Sequence, residues 1–252
     1  MSSPFLYFEH HFCACSVTII MERTTGSYAS FQLFRFSGLK ERLAAFRDMG
    51  VRALEQEHRA PVFSRHLGSG AGSGFSLWPD WSTYGYFATW QSEEELDMHL
   101  QEKNYSLPWS NYAVEQLKVG LQCVQVHGKW DGAQPLKEAS VDHQGRIAVL
   151  TRARVRGLRL HRFWSHVGQA ARAIEDAPGC LFTKGVGEWP LAMQATFSIW
   201  ESLDAMRHFA YTDKGHREIV EKTRREKWYS EDMFARFEIK SISGSYRDLK
   251  MK

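Results

Sequence analysis

From Tyr28 to Phe36 the chain alternates. Phe31 and Leu33 fall on one side of an extended strand, and Gln32, Phe34 and Phe36 on the other. Ser37-Gly38 ends the run and the period changes. Over LKERLAAFRDMGVRALEQEH, the residues Leu39, Leu43, Phe46 and Met49, with Val51 and Leu54, recur at helical spacing. They predict an amphipathic helix whose apolar stripe faces the core. Ala60-Pro61 breaks this helix, VFSRHL reads as a second strand, and GSGAGSGFSLWP, Gly68 to Pro79, reads as a loop. TYGYFATW is a third strand ending at Trp90. Ser92 caps a helix over EEELDMHL, a further helix covers residues 108–117, and VGLQCVQVHGKW is a fourth strand ending at Trp130.

Residues 131–145 are polar and rich in turn formers, and they read as a linker. The same order then returns. IAVLTRARV is a strand, GLRLHRFWSHVGQAARAIEDA a helix, and CLFTKGVG and LAMQATFSIW are strands. In the last of these, Phe197 and Ile199 oppose Thr196, Ser198 and Trp200. Ser202 is the N-cap of a helix with Leu203, Met206 and Phe209 on one face. Thr212 to Gly215 interrupts it, His216 opens another helix, and MFARFEIKSISGSY closes the set.

The copies match in detail. Phe63–Gly68 aligns with Phe182–Gly187, 119 positions on, and Trp90-Gln91-Ser92 aligns with Trp200-Glu201-Ser202, 110 positions on. Gly128-Lys129-Trp130 aligns with Gly244-Ser245-Tyr246. The nine extra residues of the first copy belong to the Gly/Ser loop. The expected fold is therefore α+β: two tandem ferredoxin-like (βαββαβ) repeats, at 27–130 and 146–246, whose antiparallel sheets pack into an α+β barrel with an apolar interior. Residues 1–26 read as a loosely packed N-terminal extension, with Met21 an alternative start, and 247–252 as a tail.

Composition narrows the function classes. With 252 residues, 43% of them hydrophobic and 24% charged, the chain is ordinary globular protein. A net charge of +3 without a long Lys/Arg run argues against nucleic acid as a partner. The local stripe Arg152, Arg154, Arg156, Arg159, Arg162 reads as a solvated strand end and helix start, with an anionic group or membrane surface as the other reading. Four cysteines without metal-ligand spacing, Cys123 and Cys180 both inside apolar runs, suggest buried thiols in a reducing compartment. No Lys or Arg precedes Arg23, so a signal peptide's basic start is missing. A cytoplasmic location is expected, with contact at the periphery of the inner membrane as an addition.

No nucleophile elbow is present. The Gly/Ser loop lacks the Gly-Lys-Ser/Thr ending of a phosphate loop and leads into a strand, so a loop at a sheet edge or a lid is expected. Of eleven histidines, His58, His99 and His161 fall on polar helix faces or ends, and His66 and His127 on strands with the barrel interior as one destination. His166 lies near an apolar side, and His208 and His216 lie in the second copy's helical region. Trp78, Trp81, Trp109, Trp164 and Trp189 are candidate lining for a large apolar ligand, with core packing the plainer reading.

These residues resemble a known family. LFRFSGLKERLAAFRDMG, LGSGAGSGF, TYGYFATW, FTKGVGEWPL, MQATFSIW, KGHREIV and WYSEDMFARF occur in the order found in the spheroidene monooxygenase family, across nearly all of residues 30–246. The resemblance implies a heme-dependent monooxygenase that oxidises an end carbon of an acyclic, hydrophobic polyene to a ketone. It also implies an electron donor such as reduced ferredoxin. The family pattern has a histidine at the place of His216, which makes His216 the candidate iron ligand and His208 the second choice. Arg152, Arg154 and Lys184 are candidate partners for the heme propionates. The first copy reads QEKNYSLPW where the second carries Lys214-Gly215-His216, an asymmetry that favours a site in the second half. Two other readings stand beside this one: a cofactor-independent barrel monooxygenase, and a non-catalytic protein that binds heme or a hydrophobic ligand.

Overall fold

The computed structural model describes residues 25–52, 61–72, 76, 78–101, 111–140, 145–189, 191–212, 221–246 and 249. The order is β1 (Tyr28–Arg35), α1 (Leu39–Arg52), β2 (Phe63–Gly70), β3 (Pro79–Trp90), α2 (Glu93–Gln101), β4 (Glu115–Gly128). After it come β5 (Ile147–Val155), α3 (Leu160–Glu175), β6 (Cys180–Trp189), β7 (Met193–Trp200), α4 (Leu203–Thr212) and β8 (Tyr229–Ser245). Ser202 does cap α4, its hydroxyl accepting from the Ala205 N–H at 3.1 Å, and Ser92 does the same for Glu95 at the start of α2. The helix expected over 108–117 does not extend that far, because β4 begins at Glu115.

All eight strands join into one closed antiparallel barrel in the order β1-β3-β2-β6-β7-β5-β8-β4. Arg65 of β2 pairs with Phe87 of β3, and Lys184 of β6 pairs with Phe197 of β7, the residues 119 and 110 positions further on. The barrel closes where β2 meets β6 through Gly68↔Gly187 and Ser69↔Val186, and where β4 meets β8 along most of its length. Gly68 and Ser69, assigned above to a loop at a sheet edge, therefore form a seam between the halves. Closure removes the edge.

Alternation sends Phe31, Leu33, Phe87, Leu117, Val119, Leu121, Leu150, Phe182, Phe197 and Ile199 inward, where they form a single buried cluster. Phe31 and Phe197 stack across the barrel with centroids 3.8 Å apart. An eight-stranded barrel is just wide enough for its own side chains to fill it, and this one is filled.

Each mouth carries an aromatic plug. After β4 the chain turns at Gly128 (φ 82°) and drops Trp130 onto Phe87, with the rings stacked at 5.4 Å. At the end of β8 it turns at Gly244 (φ 86°) and places Tyr246 edge-on to Phe182 at 5.9 Å. A Cβ at Gly128 would overlap the Asp232 carbonyl, and one at Gly244 the Gln116 carbonyl, so only glycine makes these turns.

The segment after Trp130 is less of a free linker than its composition suggests. Leu136 is buried and bridges to Gly26, and Asp131 anchors a charged cluster described below. Among the described residues, α1 and α2 of the first half and α3 and α4 of the second lie over the outer surface, and residues 221–225 are also helical. The apolar stripe predicted to hold α1 to the core faces solvent instead: Leu39, Leu43 and Phe46 are exposed, and the small Ala45 meets the barrel. Among the described residues, no helix is long and apolar enough to cross a membrane.

Candidate functional site

With the interior filled and the mouths plugged, the outer faces beneath the helices remain as ligand surfaces. The first-half face is packed shut. Trp90 donates its indole N–H to Ser30 Oγ at 3.2 Å. His99 of α2 lies 4.5 Å from the Trp90 ring and 5.9 Å from that of Tyr86, and it hydrogen-bonds the Gln32 amide. Tyr86 in turn contacts His66 at 5.1 Å. Burial lowers both imidazoles to about 4, with the Lys118 charge adding to the effect at His99, so both rings are neutral at physiological pH. Composition had placed His99 on a polar helix face and allowed His66 the barrel interior. Both belong to this outer network, because His66 pairs with Tyr86, which faces outward between Gly85 and the inward Phe87.

The second-half face has the same frame and different contents. Trp200, Ile147, Val149 and Phe209 pack one end, and Val155, Phe163 and Trp228 pack the other. Between them lies a band of small side chains. Gly185 stands where the first half has His66, Thr196 where it has Tyr86, Thr151 where it has Gln32, and Phe209 where it has His99. Thr183, Thr196 and Ser198 are buried, the Thr183 hydroxyl has no hydrogen-bond partner, and Thr151 beside Thr196 is open to solvent. A buried hydroxyl without a partner is costly in a finished core and suits a surface that receives a ligand. This band went unnoticed in the sequence, although the 119 and 110 offsets already set Gly185 against His66 and Thr196 against Tyr86.

The predicted site residues are not brought together among the described residues. Arg152 is inward, between Ala195 and Met233, with its guanidinium bound by Glu231, Asp131 and Glu188 (the last two at 3.1 Å). Arg65 and Arg154 join the same cluster through Asp131. Burial pushes the Asp131 carboxyl up, but hydrogen bonding from Arg65 and the charges of Arg152, Arg65 and Arg154 outweigh it and hold the group below its ordinary value.

Lys184 is also inward, near the other mouth. Its ammonium donates to the carbonyls of Gly72 at 2.6 Å and Gly70 at 3.2 Å, and lies 3.8 Å from Asp80. Neither Arg152 nor Lys184 reaches the helix-covered face. Of the arginine stripe only Arg152 is buried; Arg156 and Arg162 are exposed, Arg156 donating to the Tyr229 carbonyl and Arg162 pairing with Glu226 at 2.8 Å. His208 is exposed near the end of α4, bonded to Thr212. His166 lies between the Arg162 carbonyl and Lys222. His216 lies outside the described residues.

A closed antiparallel barrel with helices over its outer face defines an α+β barrel protein, here with one outer face packed by large side chains and the other lined by small ones. The solved structures share this fold. Two aldoxime dehydratases superpose with TM-scores of 0.54 (9% identity, 84% of this chain and 79% of that one) and 0.52 (12% identity, 86% and 83%). No protein-family model matches the chain. Among curated relatives, the spheroidene monooxygenase of Cereibacter sphaeroides is 33% identical over 220 residues, covering 86% of this chain and 68% of that one. The spheroidene monooxygenase of Rhodobacter capsulatus is 31% identical over 225 residues, covering 86% and 92%. That of Rubrivivax gelatinosus is 34% identical over 185 residues, covering 73% and 71%. The chain belongs to the spheroidene monooxygenase family, and it is an oxygenase.

Proposed function

We propose that the protein is a heme-dependent monooxygenase that oxidises an acyclic carotenoid, or a similar hydrophobic polyene, to a keto product, and that the second-half face holds the reacting groups. The halves are read as tandem ferredoxin-like repeats that have diverged in one place. The observation carrying this reading is the replacement of His66, Tyr86 and Gln32 by Gly185, Thr196 and Thr151 on an otherwise matching frame. A planar ligand lying flat on a sheet needs short side chains beneath it, and this band supplies them. The chemistry of the face fits a porphyrin: apolar clusters flank it, and the Thr183 hydroxyl is a polar atom without another partner.

When bound, heme supplies the site for oxygen activation. His216 would hold the iron, with His208 the second candidate. The apolar clusters around Trp200 and Trp228 would exclude water and hold the polyene chain. A keto product takes two rounds at one carbon: in each, one atom of O2 enters a C–H bond as a hydroxyl and the other leaves as water, with two electrons and two protons consumed. The resulting geminal diol loses water to give the ketone, and the four electrons come from an external donor such as reduced ferredoxin.

Hemin titration tests the reading. The wild-type protein should acquire a Soret band, His216→Ala should weaken or shift it, and Gly185→His with Thr196→Tyr, which rebuilds the closed first-half face, should abolish it without loss of circular dichroism. Unchanged hemin uptake in the filled variant would place the site elsewhere.

A further inference from the structure

The stripe of α1 that faces solvent is not an isolated oddity. Leu39, Leu43 and Phe46 are 71%, 60% and 56% exposed, at the i, i+4, i+7 spacing that puts them on one line. Beside them, around the β2–β3 connection, Trp78 and Trp81 are 78% and 58% exposed, and Trp81 meets Phe46 edge-on at 6.0 Å. Single exposed apolar residues are normal on a protein surface, but five large ones joined across two elements are not.

The repeat does not account for this patch. At the positions 119 residues on, the second half has Leu158, Arg162 and Ser165, and Arg162 is bonded to Glu226. The corresponding hairpin there exposes Trp189 and Leu191 without an apolar helix stripe beside them.

The rim decides the occupant. Lys40, Arg42 and Arg47 border the stripe. Of the nearby carboxylates, Asp48 is paired with Arg47 at 3.0 Å, and Asp80 is held by Ser82 and lies 3.8 Å from Lys184, which leaves Lys40 and Arg42 against Glu41, whose carboxylate lies over Gly38. The balance is positive by one charge. A second copy seated on this face would set Lys40 and Arg42 against their own equivalents, which disfavours a symmetric dimer. Tryptophan on a connection, Leu and Phe on a helix stripe, and a basic border are what an anionic bilayer surface accepts.

We propose that α1 and the start of β3, with Trp78 just before it, seat the protein on the anionic surface of a lipid bilayer. Leu39, Leu43, Phe46, Trp78 and Trp81 enter the acyl boundary, and Lys40 and Arg42 supply the positive border that meets headgroup phosphates. The proposal stands on this surface alone and does not require the heme reading.

The test is co-sedimentation of the full chain with phosphatidylcholine vesicles, with and without phosphatidylglycerol. Binding is expected with phosphatidylglycerol present and should weaken as salt is raised. Leu43→Glu with Phe46→Glu, both on the exposed stripe and so harmless to the fold, should reduce it by at least about tenfold. Hemin titration of the same samples separates the two readings: a variant that takes up hemin normally but no longer sediments supports membrane docking through this face. Equal sedimentation of wild type and variant, or none with either, overturns the proposal. So does a wild-type dimer in light scattering that the variant converts to a monomer without any effect of vesicles, which would make the face a contact between copies.

Discussion

Acidification probes the closed first-half face through its two neutral imidazoles. Burial, with the Lys118 charge adding at His99, takes His66 and His99 from 6.5 to about 4. In the unfolded chain both rings titrate near 6.5. Above that pH neither state carries their protons, so the pair adds no pH dependence. Between 6.5 and about 4 the unfolded chain binds protons that the folded chain refuses, and stability falls as pH falls; below about 4 the loss is complete. Each ring corresponds to about 3 kcal/mol over the whole window. Allowing for solvent screening at the partly covered His66, the pair should cost about 3 kcal/mol by pH 5.

The assay is urea unfolding followed by tryptophan fluorescence from about pH 7.5 to pH 5 at constant ionic strength. Asp80, Asp131 and Glu231, whose pKa values are depressed in the fold, release their stability only once the unfolded carboxylates begin to protonate, at the acid end of this range or below it. The upper part of the range therefore isolates the imidazoles. His66→Gln with His99→Gln should be less stable at neutral pH and nearly flat across the window. A wild-type midpoint that does not move between about pH 7 and pH 5, or a double variant just as steep, would refute the assignment of these rings as buried and neutral.

The barrel's ends give two further predictions. Trp130→Ala removes a fully buried indole stacked on Phe87 and bonded to Glu188, and thermal or denaturant unfolding should show a loss of about 3–5 kcal/mol. Arg152→Met leaves Glu188 and Asp131 with Arg65 and Arg154, and Glu231 with the Asp131 and Gly132 N–H groups, so stability should fall by about 3–5 kcal/mol at neutral pH. That loss should shrink on acidification as the carboxylates protonate, whereas a loss independent of pH would point to packing alone.

Much of the fold was legible because its causes are local. Two-residue alternation separated inward Phe197 and Ile199 from outward Thr196, Ser198 and Trp200, as it separated Phe31 and Leu33 from Gln32 and Phe34. Ser92 and Ser202 marked helix starts by the one bond a serine side chain makes there. The paired Gly-x-aromatic endings at Gly128 and Gly244 foretold two matching ends, though not that each aromatic would plug a barrel mouth.

The site was harder to read. Arg152 and Lys184 looked like free cations in sequence, but their partners, Glu231, Glu188, Asp131 and the Gly70 and Gly72 carbonyls, come from other strands. His99 looked like a surface residue until α2 was laid on β1 and β3.

By itself, then, the sequence determined the alternation, the caps, the turns and the internal offsets, all of which depend on neighbours within a few residues or on comparison of the chain with itself. It did not determine which way each helix turned on the sheet. For α1 the apolar stripe was plain, yet Arg42 bonds the Phe36 and Ser37 carbonyls and Ala45 allows close approach to the barrel, so Leu39, Leu43 and Phe46 turn outward. For the second half, the small residues at Gly185, Thr196 and Thr151 became one outward band only when the closed barrel set three separate strands side by side. Local preferences decide what each segment is; closure decides which side chains meet, and the chemistry depends on that meeting.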